Sequence, residues 1–176
     1  MAAKRFHPKY RIRDTGAGLL ASALGIEGSE RGPEAAAEND AVGVRAYFSS
    51  PEFRPFQVVP LTVELMIKKG WHVYTAPVPD GYSALSADLA PLEGLGADTA
   101  VWPDGHAHHV EGLDEAFSVL DGTIRGRIPV TFAVAAGAGD QRPEVVVRFQ
   151  ACSDTACLPP ATVRLSPLIR EAALAD

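Results

Sequence analysis

The sequence predicts an all-β fold, built as an antiparallel sandwich or barrel. Apolar and polar residues alternate over several short windows, which is the pattern of strands that bury one face. Small clusters of glycine, proline, serine and aspartate separate these windows, as they do in antiparallel β proteins. The sequence shows no long helical period after residue 40.

Five windows carry the alternation and are predicted to be strands with one wet face. In the second window, the polar set that includes Glu64 is expected to face solvent. The middle of the chain, from Pro77 to Gly112, is rich in loop-forming residues and is expected to hold irregular structure or short edge strands. The five windows are Val42–Phe48, Leu61–Ile67, Ile128–Val134, Val145–Phe149 and Val163–Leu165.

The first forty residues are predicted to lie outside the folded domain, which we assign to residues 41–176. The segment Glu27–Asp40 is polar, rich in glycine and alanine, and is interpreted as a linker. Upstream, basic residues precede an apolar run, Ala17–Ile26, that contains a small-residue triplet typical of signal-peptide cleavage. A signal segment and a short amphipathic helix left from an upstream domain both stay open.

Composition and charge argue against nucleic-acid binding and against a membrane-spanning segment. The chain has 176 residues, of which 47% are hydrophobic, so it can bury a sizeable core. Its formal net charge is −6 and it has no basic stripe of the kind that binds nucleic acid. No stretch approaches the roughly 20 apolar residues that a membrane span needs. We therefore expect no nucleic-acid partner and no membrane span in this chain.

The two cysteines lie in one short motif. Cys152 ends a predicted strand, on the face that the alternation marks as less buried, and four residues separate it from Cys157. A bridge over so short a loop stabilises a fold by only about 2 kcal/mol in the chain-entropy model. A short loop at an exposed strand end suits thiol–disulfide exchange. A passive local disulfide and a metal site stay open, although the motif lacks the second ligand pair of a structural zinc site.

Two segments of the sequence resemble a known family. The run FQACSDTACLPP, Phe149–Pro160, is similar to the signature of the N-terminal periplasmic domain of the thiol:disulfide interchange protein DsbD and its redoxin-fused relatives. The run GWHVY, Gly70–Tyr74, is similar to that family's Gly-aromatic-aromatic-aliphatic-Tyr segment. A weaker similarity extends from Val110 to Thr131, and together the similarities cover Val42 to Leu168.

The resemblance implies an immunoglobulin-like antiparallel β-sandwich with a redox-active cysteine pair. Cys152 and Cys157 are then expected to cycle between dithiol and disulfide through a mixed disulfide, with no cofactor and no metal. The expected donor is a thioredoxin-like redox protein or domain. The expected acceptor is a disulfide isomerase or a cytochrome c maturation thioredoxin, in the periplasm or another extracytoplasmic compartment.

The resemblance also implies that the domain is a thiol:disulfide oxidoreductase, acting as a component of a protein-disulfide reductase. The alternative function is a non-catalytic immunoglobulin-like binding module with a static local disulfide. The sequence departs from the family because it includes neither a membrane domain nor a C-terminal thioredoxin domain, so a stand-alone protein and a fragment both stay open. The best-known members of the family also space their cysteines one residue wider.

The resemblance implies further residues around the cysteines. His72 and Tyr74 share one face of their strand and match two aromatic residues that lie beside the cysteines in the family. His72 is a candidate for lowering a cysteine pKa or relaying a proton. Gln150 flanks the cysteine strand and is expected to line the site or touch a partner, with an ordinary wet-face position as the alternative.

The family also places an aromatic residue over the disulfide, as a cap that follows two acidic residues. Phe117, which is preceded by Asp114 and Glu115, is the candidate for this cap, and Leu120 is the alternative. The two acidic residues are either carboxylates that tune the thiols or part of an exposed turn.

A histidine cluster occurs in the middle of the chain. His106, His108 and His109 lie in a glycine-containing segment that we predict to be a solvated loop. Metal binding is the alternative, but no acidic residue or cysteine stands at a recognised ligand spacing. The sequence carries no phosphate-binding loop, nucleophile elbow or HExxH motif, so most enzyme classes have no support.

Overall fold

The computed structural model describes residues 11–13, 31–32, 34–78, 80–109, 116–134 and 139–173. These residues form sixteen strands and no α-helix. In chain order the strands are β1 (Arg11–Arg13), β2 (Ala35–Glu38), β3 (Val42–Phe48), β4 (Glu52–Phe53), β5 (Val58–Ile67), β6 (His72–Tyr74), β7 (Ser86–Leu89), β8 (Leu95–Ala97), β9 (His106–His109), β10 (Ala116–Leu120), β11 (Thr123–Phe132), β12 (Asp140–Gln141), β13 (Val145–Phe149), β14 (Ala151–Cys152), β15 (Ala161–Leu165) and β16 (Ile169–Glu171).

Two antiparallel sheets enclose the main core. One has six strands in the order β1-β2-β3-β5-β11-β8, and the other has three in the order β15-β13-β7. Their buried side chains form one apolar cluster, which confirms the predicted sandwich. In β3 every second residue is buried, and in β13 and β14 the predicted inward set is buried from Val145 to Ala151. The alternation therefore identified these strands and their inner faces correctly.

Two smaller sheets complete the described part of the fold. One has the order β14-β6-β10-β9 and holds the cysteine strand. The other has the order β12-β16-β4, in which β16 pairs with β4 in parallel. The loop-rich middle of the chain contributes β7, β8 and β9, each of three or four residues, as the prediction of short strands requires.

The linker interpretation is wrong for Ala35–Glu38. These residues form β2, which pairs with β3, and the side chain of Ala37 lies in the main core. The signal that reveals the hairpin is Asn39, whose Oδ1 accepts hydrogen bonds from the N–H groups of Ala41 (2.9 Å) and Val42 (2.7 Å). β2 was missed because alanine and glutamate have low strand propensity and pairing with β3 overrides it. The apolar run Ala17–Ile26, predicted to be a signal segment or a short helix, lies outside the described residues.

The prediction of a wet face on β5 is wrong at Glu64. Its side chain is 1% exposed, because Arg45 on β3 and Arg125 on β11 lie directly opposite it and cover it. Both guanidinium groups donate hydrogen bonds to its carboxylate, that of Arg125 from Nε at 2.6 Å. Burial raises the pKa of Glu64, but the hydrogen bonds and charges of Arg45 and then Arg125 outweigh it and hold the pKa below 4.5.

Replacing Glu64 with glutamine is expected to destabilise the sandwich. Glu64→Gln removes one charge from a buried cluster and leaves two arginines facing each other, so we expect the free energy of unfolding at pH 7 to fall by about 2 kcal/mol. A carboxyl group whose pKa is lower in the folded state than in the unfolded state stabilises the fold fully at any pH above its unfolded pKa. The difference between wild type and variant should therefore shrink as the pH falls through the folded pKa, which lies below 4.5.

Urea unfolding at neutral and acidic pH measures this effect. The matched control is Glu38→Gln, the same chemical change at an exposed position on β2, which should alter stability by less than about 0.5 kcal/mol. Equal effects of the two substitutions at pH 7 would show that the arginine–glutamate cluster does not stabilise the fold.

Candidate functional site

The site begins where the chain leaves one sheet and enters another. β13 belongs to the three-stranded sheet of the sandwich, and the chain then passes through Gln150 into β14. β14 pairs with β6, so that Ala151 lies opposite Val73 and Cys152 lies opposite His72. Ala151 and Val73 face the main core, and Cys152 faces away from it. This change of sheet places the cysteine at the start of a short exposed loop.

Cys152 and Cys157 form a disulfide with an Sγ–Sγ distance of 2.07 Å. The loop between them is held by its own hydrogen bonds. The N–H of Ser153 donates to the carbonyl oxygen of Ala156 (2.7 Å), and the hydroxyl oxygen of Ser153 accepts from the N–H of Ala156 (3.1 Å). Beyond the bridge, the N–H of Leu158 donates to the carbonyl oxygen of Ala151 (2.9 Å). The loop is thus a small closed unit that presents Cys157 at the surface.

The two sulfur-bearing residues differ sharply in exposure. Cys157 is exposed, whereas Cys152 is 1% exposed. The prediction that Cys152 lies on a less buried face is therefore wrong. Its outer face is covered by a second apolar cluster, in which it packs with Tyr74 and Val119. The residues that cover Cys152 belong to β6 and β10. The alternation within the cysteine strand could not predict contacts made by these other strands.

One cavity is lined by both cysteines of this disulfide, and a second cavity lies next to the first. The first has a volume of about 590 Å³ and is lined by the cysteine loop, Tyr74, Tyr82, His108 and His109. The second has a volume of about 580 Å³ and is lined by residues that include Trp71, His72 and Lys69. His108 and Asp154 line both cavities and separate them. A reacting group can reach Cys157 through the first cavity.

Aromatic rings pack beside the disulfide on the face that β6 turns away from the core. The ring of His72 lies 5.3 Å from that of Tyr74 and 4.3 Å from that of His108, between centroids. Tyr74 in turn lies 5.1 Å from Tyr82. Burial, followed by the neighbouring Tyr82, raises the pKa of Tyr74, so this phenol stays protonated at neutral pH. Burial, followed by the charge of His108, lowers the pKa of His72 below 6.5.

The structure brings some of the predicted site residues together. His72 and Tyr74 share one face next to the cysteine strand, and Phe117 packs against the cluster that contains Cys152. Leu120, the alternative cap, lies in the main core instead. Asp114 and Glu115 lie outside the described residues.

Gln150 does not line either cavity among the described residues. It is buried behind the cysteine loop, so its wet-face position is wrong as well. Its side-chain oxygen accepts a hydrogen bond from the N–H of Ser83 (3.0 Å), and its Nε2 donates to the carbonyl oxygen of Leu158 (3.1 Å). Gln150 therefore ties the end of the cysteine loop to the segment that carries Tyr82.

The histidine cluster is a strand rather than a loop. His106–His109 forms β9, which pairs with β10 so that His108 lies opposite Phe117. Sequence reasoning missed that His108 reaches the disulfide, although the spacing of His106 and His108 by two residues places both on one face of a strand. Among the described residues, no three His, Cys, Asp or Glu side chains are placed to hold a metal ion.

These observations define a class of protein. The protein is a β-sandwich domain with a short-loop disulfide. One cysteine of the disulfide, Cys157, is exposed beside a cavity, and the other, Cys152, is buried among aromatic rings. The family model described as "Thiol:disulfide interchange protein DsbD, N-terminal" matches residues 42–168. The chain belongs to this family, and its fold is the immunoglobulin-like antiparallel sandwich that the resemblance implied.

Solved structures with a similar fold include the N-terminal periplasmic domain of ScsB from Proteus mirabilis. That structure is 18% identical, has a TM-score of 0.50, and aligns with 74% of this chain, which spans about half (49%) of its length. The reduced N-terminal domain of DsbD from Neisseria meningitidis is 17% identical with a TM-score of 0.43, covering 83% of this chain and 90% of that domain. A search of curated proteins gave no match. Within the described part of the chain, no helix is long and apolar enough to cross a membrane.

Proposed function

We propose that this domain passes electrons between proteins by thiol–disulfide exchange, and that an incoming thiolate attacks the sulfur of Cys157. The observation that carries the proposal is the difference in exposure between the two cysteines. An attacking thiolate must approach a sulfur along the S–S bond. Both cysteines line the first cavity, but Cys157 is exposed whereas Cys152 is only 1% exposed, so Cys157 is the accessible target. Cys152 is then the leaving group, held in place by the cluster around it.

The exchange balances without a cofactor. A partner thiolate forms a bond to Sγ of Cys157, the bond between Cys157 and Cys152 breaks, and the electron pair stays on Cys152. A second thiolate of the partner then attacks its own sulfur in the mixed disulfide and releases Cys157. The partner leaves as a disulfide, and the domain retains two electrons as a dithiol. The same steps in reverse reduce an acceptor disulfide.

The class of partner follows from the chemistry and the family. A donor must present a paired thiol on a surface that fits against the loop of Cys157, as a thioredoxin-like protein or domain does. The acceptors are disulfide-bearing proteins such as a disulfide isomerase or a cytochrome c maturation thioredoxin. Disulfides of this kind persist in extracytoplasmic compartments, and we place this domain in the periplasm or an equivalent space. The matched ScsB domain is itself described as periplasmic.

A glutathione redox titration tests the proposal. We expect the bond between Cys152 and Cys157 to open and close reversibly as a two-electron couple, with a midpoint between about −270 and −120 mV, the range of known exchange proteins. Mass spectrometry after alkylation measures the reduced fraction at each ratio of reduced to oxidised glutathione. A bond that stays oxidised below about −300 mV behaves as a static structural disulfide, and that result would overturn the exchange function.

A further inference from the structure

His72 is the residue across the strand from the leaving cysteine. In the antiparallel pair of β6 and β14 it lies directly opposite Cys152, and directly opposed residues project from the same face with their Cβ atoms about 5 Å apart. The side chain of His72 is buried, at 7% exposure, and its Nε2 has no hydrogen-bond partner among the described residues. A buried ring nitrogen without a partner is costly and calls for an explanation.

The charged and titratable groups around His72 come from every neighbouring element. His106 and His108 lie on β9, reached across β10, and Asp121 lies in the turn after β10. Asp154 comes from the cysteine loop. His72 lines the second cavity, and Lys68 and Lys69 line the same cavity. Water in this cavity is a source of protons for the imidazole.

Exchange at Cys157 creates a difficulty at Cys152. The electron pair of the broken bond stays on a sulfur that is buried between Tyr74 and Val119. A buried anion without a cation or a proton is strongly unfavourable, and the Tyr74 ring offers no positive charge. The first cavity, which both cysteines line, is the path by which the attacking partner approaches in the exchange proposed above. A proton must therefore reach Cys152 from another side.

We propose that His72 delivers a proton to the sulfur of Cys152 when the disulfide is reduced and takes it back when the disulfide re-forms. The role rests on the exchange reaction proposed above. His72 first takes a proton from water in the second cavity and becomes the imidazolium. As a partner thiolate bonds to Cys157, the departing electron pair of Cys152 takes the Nε2 proton of this imidazolium and leaves the ring neutral. One thiolate, one disulfide and one proton thus give one mixed disulfide and one thiol.

The electrostatics of the disulfide form suit this role. Burial and then the charge of His108 lower the pKa of His72, whereas Asp154 opposes the shift, so the ring is neutral at pH 7 while the disulfide is intact. A thiolate forming at Cys152 adds a negative charge opposite the ring, and this charge favours the imidazolium. In the dithiol form the Cys152 sulfur and His72 share this proton, so His72 should hold a proton up to a higher pH than in the disulfide form.

Reduction kinetics with glutathione, measured from about pH 5 to pH 8, test the role. The ratio of the wild-type rate to the His72→Gln rate cancels the ionisation of glutathione itself. We expect this ratio to be at least about 10 near pH 5 and to fall as the pH rises through the pKa of His72, below 6.5. The matched control is His106→Gln, which removes an imidazole that borders the same cavity but lies next to Asp121 at 3.5 Å. Because His106 acts on His72 only through its charge, its ratio should stay within about twofold of 1 and should not rise toward pH 5 as that of His72→Gln does.

A second measurement uses the wild-type protein and does not depend on the folding of the variant. Imidazole resonances of His72 should titrate at a higher pH in the reduced protein than in the disulfide form. A pH-independent rate ratio, or an unchanged His72 titration, would overturn the proton-transfer role. If the wild-type disulfide is not reduced reversibly at all, the exchange function fails instead, and the two failures are thereby distinguished.

Discussion

Replacing Cys152 with serine should trap a mixed disulfide quickly, whereas replacing Cys157 should make such an adduct form far more slowly. In Cys152→Ser the exposed Cys157 remains and can attack oxidised glutathione, but no second thiol is present to release the adduct. In Cys157→Ser the remaining thiol is buried in the cluster of Tyr74 and Val119, so it reacts only when the site opens. We expect adduct formation to be at least about 100-fold slower in Cys157→Ser, as measured by mass spectrometry.

The same two variants provide their own control. In concentrated urea both chains are unfolded, burial no longer protects either thiol, and the two adducts should form at similar rates. Equal rates under native conditions would show that the two cysteines are equally accessible, and the assignment of Cys157 as the attacked sulfur would be wrong. A large native difference that disappears in urea attributes the effect to the fold.

The largest expected loss of stability comes from Phe132, at the end of β11. Its ring is fully buried, stacks on Phe53 at 4.2 Å between centroids, and lies 6.0 Å from Phe48. It therefore joins the long strands of the main sheet to the short strand β4. Phe132→Ala leaves a cavity among these rings, and we expect the free energy of unfolding to fall by about 3–5 kcal/mol.

Urea unfolding followed by fluorescence measures this loss. Val134→Ala is the matched control, because Val134 lies two residues further along the chain and its side chain is 68% exposed. That substitution should change stability by less than about 0.5 kcal/mol. If Phe132→Ala costs no more than the control, Phe132 is not part of the cooperative core and the packing described for this end of the sandwich is wrong.

Sequence periodicity predicted the parts of the fold in which burial follows the pleat of a single strand. The alternation in Val42–Phe48 and Val145–Phe149 gave both the strands and the faces that enter the core. It failed where burial depends on a neighbouring element. Glu64 is polar, but arginines on the two adjacent strands cover it. The pattern of residues within β5 alone cannot predict that contact.

The candidate site shows the same division. The family resemblance carried by the cysteine motif and the GWHVY segment implied a redox-active cysteine pair with aromatic residues beside it, and the structure contains a disulfide with His72 and Tyr74 on the neighbouring strand. The burial of Cys152 was not predicted, because the residues that cover it come from β6 and β10. The position of His108 was missed for a similar reason, since only the pairing of β9 with β10 brings this histidine to the disulfide.

Mapping the first adduct on the wild-type protein tests the central claim most directly. The oxidised domain is mixed briefly with reduced glutathione, quenched in acid, and digested, and the peptide that carries glutathione is identified by mass spectrometry. Attack through the open cavity predicts glutathione on Cys157, with Cys152 recovered as a free thiol. Glutathione found on Cys152, or divided equally between the two cysteines, would contradict the account.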